Sequence, residues 1–245
     1  MDIVKNGEWK ERGQEGILWL AINAKYSHTS LAVRYLRECV PGSEILELTI
    51  NHQLLAALGE IYERRPRVLG IACYIWNIEQ TRKLAADLKL ACPNLLLAVG
   101  GPEVSSQGPA FVQQNPWVDF LLRGEGEYPF YRLCQVLHAP QRALETIPGL
   151  IYRQAGKIYV NAEIEPIDFN AVPFPYSMLD CEPDKVVYYE STRGCPFRCS
   201  YCLSSIDKTV RALEMGEVEG AMGSLSLVIT ALLTVVIAPF LGNLI

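Results

Sequence analysis

Histidine is scarce in this 245-residue chain, with only His28, His52 and His138, all upstream of position 140. Basic charge is not in excess either. The net charge is −5, which argues against a general nucleic-acid binder. No G-x-G-x-x-G follows the first apolar run, so a nicotinamide or flavin dinucleotide site is poorly supported. The opening MDIVKNGEWKERGQEG is polar and lacks the apolar stretch of a secretory signal. A reducing, cytoplasmic setting is therefore expected, where clustered cysteines mean metal or redox chemistry more often than disulfides. Apolar residues, by contrast, make up 50% of the chain, enough for a sizeable core.

From Gly16 to about Leu137 short apolar runs alternate with amphipathic stretches. GILWLAIN, EILELTI, RVLGIACYIW, NLLLAVGGPEVS and VDFLLRG read as strands, and a helical pattern follows each of the first three and the last. Asn77 stands where it would cap the third helix. This succession predicts an α/β fold built on a doubly wound parallel sheet. In such sheets ligands sit at the carboxyl ends of the strands. The loops expected there are Asn23–Ser30, Tyr74–Asn77, Gly100–Glu103 and Gly124–Glu127, rich in residues that let backbone approach a large ligand. Gly149–Asn161 reads as a hairpin turning at Ala155-Gly156. The Pro-rich EPIDFNAVPFPYSMLD reads as a linker, and Lys185–Gly194 as a new strand.

That strand leads into GCPFRCSYC, with Cys195, Cys199 and Cys202 spaced C-x-x-x-C-x-x-C. Thiolates at this spacing on one loop suit several corners of an iron–sulfur cube. Structural zinc is one rival, but it wants four ligands and no fourth is evident. A redox C-x-x-C at Cys199 and Cys202 is the other, and it leaves Cys195 unexplained. The other five cysteines, Cys39, Cys73, Cys92, Cys134 and Cys181, lie in apolar or helical stretches and read as buried small hydrophobes.

GCPFRCSYC, with TRGCPF around its first cysteine, resembles the motif of the radical S-adenosylmethionine (SAM) family, Tyr201 taking the aromatic place. The resemblance implies that Cys195, Cys199 and Cys202 hold a 4Fe–4S cluster whose open iron chelates SAM for reductive cleavage. It places Tyr201 near the adenine and Arg193 close by. An electron donor such as flavodoxin or ferredoxin is then an expected partner. INAKYSHTSLAVRYL, GGPEVS and VDFLLRGEGEYPF resemble loops of the cobalamin-binding subclass, so the α/β part is expected to be a Rossmann-like cobalamin-binding domain. The corrinoid contacts implied are Tyr26, Ser27, Thr29, Trp76, Gly100, Gly101 and Glu103. The D-x-H-x-x-G signature of cobalamin mutases is absent: YSHTSLA has His28 but neither the Asp nor the Gly. No histidine coordination from that motif is expected.

The strand–helix units that complete a radical SAM barrel, and a GGE-like stretch, do not follow. RALEMGEVEGAMGSLSL and the apolar run after it instead resemble the C-terminal end of LrgB-family, antiholin-like membrane proteins. Ala221–Ile245 carries no charge and is long enough to span a bilayer, so a membrane segment is expected there. The expected organisation is a cobalamin-binding domain (1–140), hairpin and linker (141–184), the start of a truncated radical SAM barrel (185–211) and a hydrophobic helix that anchors the chain (212–245). The functions implied are methyl transfer or rearrangement, a corrinoid-binding module without catalysis, or a membrane-tethered fusion product.

Overall fold

The computed structural model describes residues 16–139, 143–176, 184–197, 199–202 and 207–213. Five parallel strands form the centre: β1 (Ile17–Asn23), β2 (Glu44–Thr49), β3 (Val68–Ala72), β4 (Leu96–Gly100) and β5 (Phe120–Leu122). Two antiparallel strands, β6 (Leu150–Gln154) and β7 (Lys157–Val160), extend the sheet beyond β5. The spatial order is β2-β1-β3-β4-β5-β6-β7, the expected doubly wound, Rossmann-like arrangement. The 149–161 hairpin is therefore part of the sheet and covers the edge that β5 would otherwise expose.

Central strands are buried on both faces, so their sequences run apolar without alternation. On β1, Ile17, Trp19 and Ala21 join one core with helices α1 (Leu31–Cys39) and α6 (Glu127–His138). Leu18, Leu20 and Ile22 join the other with α2 (Leu54–Arg64), α3 (Ile78–Ala91) and α5 (Pro109–Gln114). The short α4 (Pro102–Ser105) follows β4 directly. Trp19 anchors the first core: its ring meets Phe130 edge-on at 5.1 Å and its indole N–H donates to Ser43 Oγ at 2.7 Å. The first core extends past β7, since Ile167, Phe169 and Val172 are buried in it.

Two expectations are corrected. Lys185–Gly194 is not a continuous strand. Only β8 (Thr192–Arg193) pairs, antiparallel with β9 (Arg211–Ala212), and Val186 makes an isolated bridge to His28. Val187 and Tyr189 are exposed: β-branched and aromatic composition gave the strand pattern, but no neighbour among the described residues supplies the ladder. Asn77 begins α3, yet its side chain makes no capping bond to that helix. Among the described residues no helix is long and apolar enough to cross a membrane. The run Ala221–Ile245 and Cys181 lie outside them.

Candidate functional site

With β1 flanked by β2 and β3, the direction of winding reverses between β1 and β3, and a crevice opens at their carboxyl ends. Asn77 closes its floor. This side chain is buried, and its amide donates to Ile22 O at 3.1 Å on β1 and to Ala72 O at 3.0 Å on β3. Its Oδ1 accepts from the Tyr74 N–H at 2.8 Å. The strand ends are thus clipped together by one amide. Beside it the Trp76 indole donates to Ile22 O at 3.1 Å and stacks flat on Tyr74, with ring centroids 4.4 Å apart.

Gly101 forms the opposite lip. Its φ is +108°, and a Cβ there would lie 2.5 Å from the Cys73 carbonyl oxygen, so only glycine fits. Between these walls is a cleft of about 120 Å³, lined by Ala72, Tyr74, Gly100, Gly101, Glu127 and Phe130 among others. Pockets that swallow a drug-sized ligand run to ~300–1,000 Å³. This cleft takes one protruding group of a ligand whose body rests across the strand ends. A broad, flat corrinoid fits that description, with bare glycine backbone on one side and stacked aromatics on the other.

Of the residues singled out in the sequence, the fold brings Trp76, Gly100 and Gly101 to this crevice. Glu103, on α4, is half-buried and bonded to Gln107. Tyr26, Ser27 and Thr29 lie on the β1–α1 loop and hold the segment that leads to the cysteines. Ser27 O accepts from the Val186 N–H at 2.7 Å, Thr29 Oγ1 donates to Val186 O at 3.1 Å, and Lys185 Nζ donates to Tyr26 O at 2.6 Å. Thr29 is buried by this contact, and the Tyr26 ring carries the Lys185 ammonium at 3.7 Å. Tyr188 joins them through a 3.0 Å hydrogen bond to His28 Nδ1.

The cysteine loop springs from the β8–β9 pair. Gly194, at φ +79°, brings its backbone against Thr209, where a Cβ would sit 2.3 Å from the carbonyl oxygen. The Cys195 N–H then donates to Asp207 O at 3.0 Å. Cys195, Cys199 and Cys202 are half-buried and Tyr201 is exposed. No group of three or more His, Cys, Asp or Glu side chains among the described residues is gathered closely enough to hold a metal ion. Each arginine flanking the cysteine loop is held by carboxylates. Arg193 pairs with Glu127 at 2.6 Å, Glu190 at 3.0 Å and Glu125 at 3.4 Å, with its guanidinium 4.4 Å over the Phe169 ring. Arg211 pairs with Glu125 at 2.7 Å and Asp207 at 2.6 Å. Burial alone would lower the Arg193 pKa, but Glu127, Glu190 and Glu125 outweigh it and hold it above the ordinary arginine range. The bond to Glu125 raises that of Arg211.

Cys39, Cys73 and Cys134 are buried, and burial pushes all three thiols up, Cys134 to about 12 from an ordinary 9.0. They pack as small hydrophobes, as their setting in the sequence implied, whereas Cys92 is only half-buried at the edge of the second core. Sequence reasoning misses the clip at Asn77 and the pairing of Glu125 and Glu127 with Arg193 and Arg211. The available signal was an E-x-E in the β5–α6 loop and arginines on both sides of the cysteines. Nothing in linear spacing says that they meet.

Residues 17–134 match the family model described as the B12 binding domain, and residues 204–244 that of the LrgB-like family. Among curated proteins the chain is 27% identical to the cobalamin-dependent radical SAM methyltransferase TokK of Streptomyces tokunonensis, over 80% of this chain and 31% of that one. It is 30% identical to the 2-(S-pantetheinyl)-carbapenam-3-carboxylate methyltransferase of Streptantibioticus cattleyicolor, over 56% of this chain and 22% of that one. The solved structure of the cobalamin-dependent S-adenosylmethionine radical enzyme OxsB with aqua-cobalamin bound shares the fold, with a TM-score of 0.67 and 17% identity, covering 82% of this chain and 30% of that one. The chain thus spans less than a third of the length of each of these three proteins. Residues 17–134 form a B12-binding domain, in a chain with cobalamin-dependent radical SAM methyltransferases among its relatives and an LrgB-like match toward its C-terminus.

Proposed function

We propose that this chain binds a corrinoid across the carboxyl ends of β1, β3 and β4, and presents beside it a loop whose Cys195, Cys199 and Cys202 take up a 4Fe–4S cluster for reductive cleavage of SAM. The observation that carries the reading is the docking of the C-x-x-x-C-x-x-C loop, through Arg193 and Arg211, onto the β5–α6 loop that borders the crevice. Trp76, Gly100 and Gly101 are the residues that would hold the corrinoid, Tyr74 stacking behind Trp76. Bound there, a corrinoid supplies a cobalt centre able to carry a methyl group. The methyltransferases among its relatives favour methyl transfer over rearrangement, and a flavodoxin or ferredoxin is the kind of donor this chemistry requires. The uncharged run Ala221–Ile245 and the LrgB-like match support a membrane anchor at that end.

The test is anaerobic reconstitution of the full chain with iron, sulfide and hydroxocobalamin. Both corrinoid and iron–sulfur absorption are expected, with Cys199→Ala losing only the second. Failure to retain corrinoid overturns the first half of the proposal, and zinc or no metal on the cysteines overturns the second. A second reading, a corrinoid-binding module without catalysis, is favoured by the B12-binding match, which covers residues 17–134 and ends before the cysteines. SAM cleavage by the reduced, reconstituted chain rejects it, and corrinoid retention without cleavage supports it.

A further inference from the structure

The β5–α6 junction carries two carboxylates with a single residue between them, Glu125 in the loop and Glu127 at the start of α6, and each makes its shortest contact with a different arginine, Glu125 also lying 3.4 Å from Arg193. Glu127 is buried, with 8% of its side chain exposed, and takes Arg193 from the strand before the cysteines. Glu125 takes Arg211 from the strand after them, its two oxygens accepting from both terminal nitrogens at 2.7 and 3.0 Å. Its Oε2 also accepts from the Ile167 N–H at 2.9 Å, and Arg211 donates to Ile167 O at 2.7 Å. Glu190 and Asp207 complete the network, each on an arginine already held by the loop. The Arg193 guanidinium also lies over the rings of Phe169 and Tyr35, at 4.4 and 5.3 Å.

We infer that Glu125 and Glu127 are positioning residues: acting through Arg211 and Arg193, they fasten both ends of the cysteine loop to the rim of the crevice. The geometry explains why two separate pairs are needed. One pair would pin one end and let the loop swing about it, whereas two pairs on adjacent acceptors fix height and direction together. The bidentate Arg211–Glu125 contact adds that directionality, which an ammonium does not. The fastening itself does not depend on any cofactor. Its use in setting a cluster over a corrinoid rests on the function proposed above.

Hydrogen exchange of the full chain, read by mass spectrometry without added cofactor, tests the fastening apart from that function. Glu127→Gln and Glu125→Gln are each expected to speed exchange of amides in 191–197 and 207–213 by about tenfold or more, with those of β1, β3 and β4 unchanged. The reversed pair Glu127→Arg with Arg193→Glu is expected to recover part of the protection that either single change loses. Unchanged exchange in the loop ends overturns the inference, and so does loosening of sheet and loop in step, which makes the glutamates fold residues only. If Glu127→Gln fails to fold, its positioning role is rejected. Glu125→Gln and Arg211→Lys, at less buried positions, then decide the other half by the same measurement.

Discussion

Asn77 is buried and satisfied at three points, tying the carboxyl ends of the paired strands β1 and β3 to each other and to the turn that starts α3. Truncating its side chain to a methyl group takes that partner from the buried Ala72 carbonyl and from the Tyr74 N–H, while Ile22 O keeps the Trp76 indole. Asn77→Ala is therefore expected to lower stability by about 2–3 kcal/mol, measured by urea denaturation. Trp76→Phe removes one bond to a carbonyl that Asn77 still serves and is expected to cost less than about 1 kcal/mol. Its effect belongs in corrinoid retention instead. Titration at this scale works through the buried thiols and Tyr35. Burial raises Tyr35 to about 12, Cys134 to about 12, and Cys39 and Cys73 further. A group whose folded pKa lies above its unfolded value contributes stability that is whole below the unfolded value and lost as pH climbs through the folded one. The urea midpoint is expected to hold up to about pH 8.5, the ordinary thiol range, and then to fall steadily toward pH 12. Substituting Cys39→Ala should flatten the fall, and a midpoint unchanged between these limits contradicts the assignment.

The elements differ in how plainly they announce themselves. β1, β3 and β4 are legible because strands buried on both faces must be apolar throughout, and ILWLAIN, VLGIA and LLAVG are. The hairpin of β6 and β7 was legible as a hairpin, but its place beside β5 was not. Register with β5 is set by Leu150 facing Leu122 and Tyr152 facing Phe120, contacts that local pattern does not encode. The segment 185–191 misleads for the converse reason, since strand-like composition there has no ladder to join. The β4–α4 turn is the element on which the crevice depends most. Gly101→Ala must move either its own φ, now +108°, or the Cys73 carbonyl oxygen that a Cβ would meet at 2.5 Å. The strain is expected to cost about 1–3 kcal/mol and to weaken corrinoid retention more than Glu103→Ala does, both readable by denaturation and equilibrium dialysis.

At the level of the whole molecule the question is where the sheet domain stops. The family match ends at residue 134, and a boundary near 140 follows naturally from the sequence, but the core does not end there. Leu150 and Ile151 are fully buried on β6, and Ile167 and Phe169 are 6% and 1% exposed beneath α1 and Arg193. Four such side chains are worth ~6–12 kcal/mol at ~1.5–3 kcal/mol each, an upper estimate because an unfolded chain already buries some of this area. A domain of this size is stable by only ~5–15 kcal/mol. A fragment ending at 140 would forfeit most of that margin and leave β5 as an uncovered apolar edge. One ending at 176 keeps all seven strands and Phe169. It loses Arg193 and Arg211, but their removal also opens Glu125 and Glu127 to water, so no buried charge is stranded. Residues 1–176 are therefore expected to unfold cooperatively and to retain cobalamin on gel filtration, and residues 1–140 to aggregate or remain unfolded. Should the shorter fragment fold and hold cobalamin as well as the longer, the hairpin and the 165–172 segment are additions to a finished domain and not part of its core.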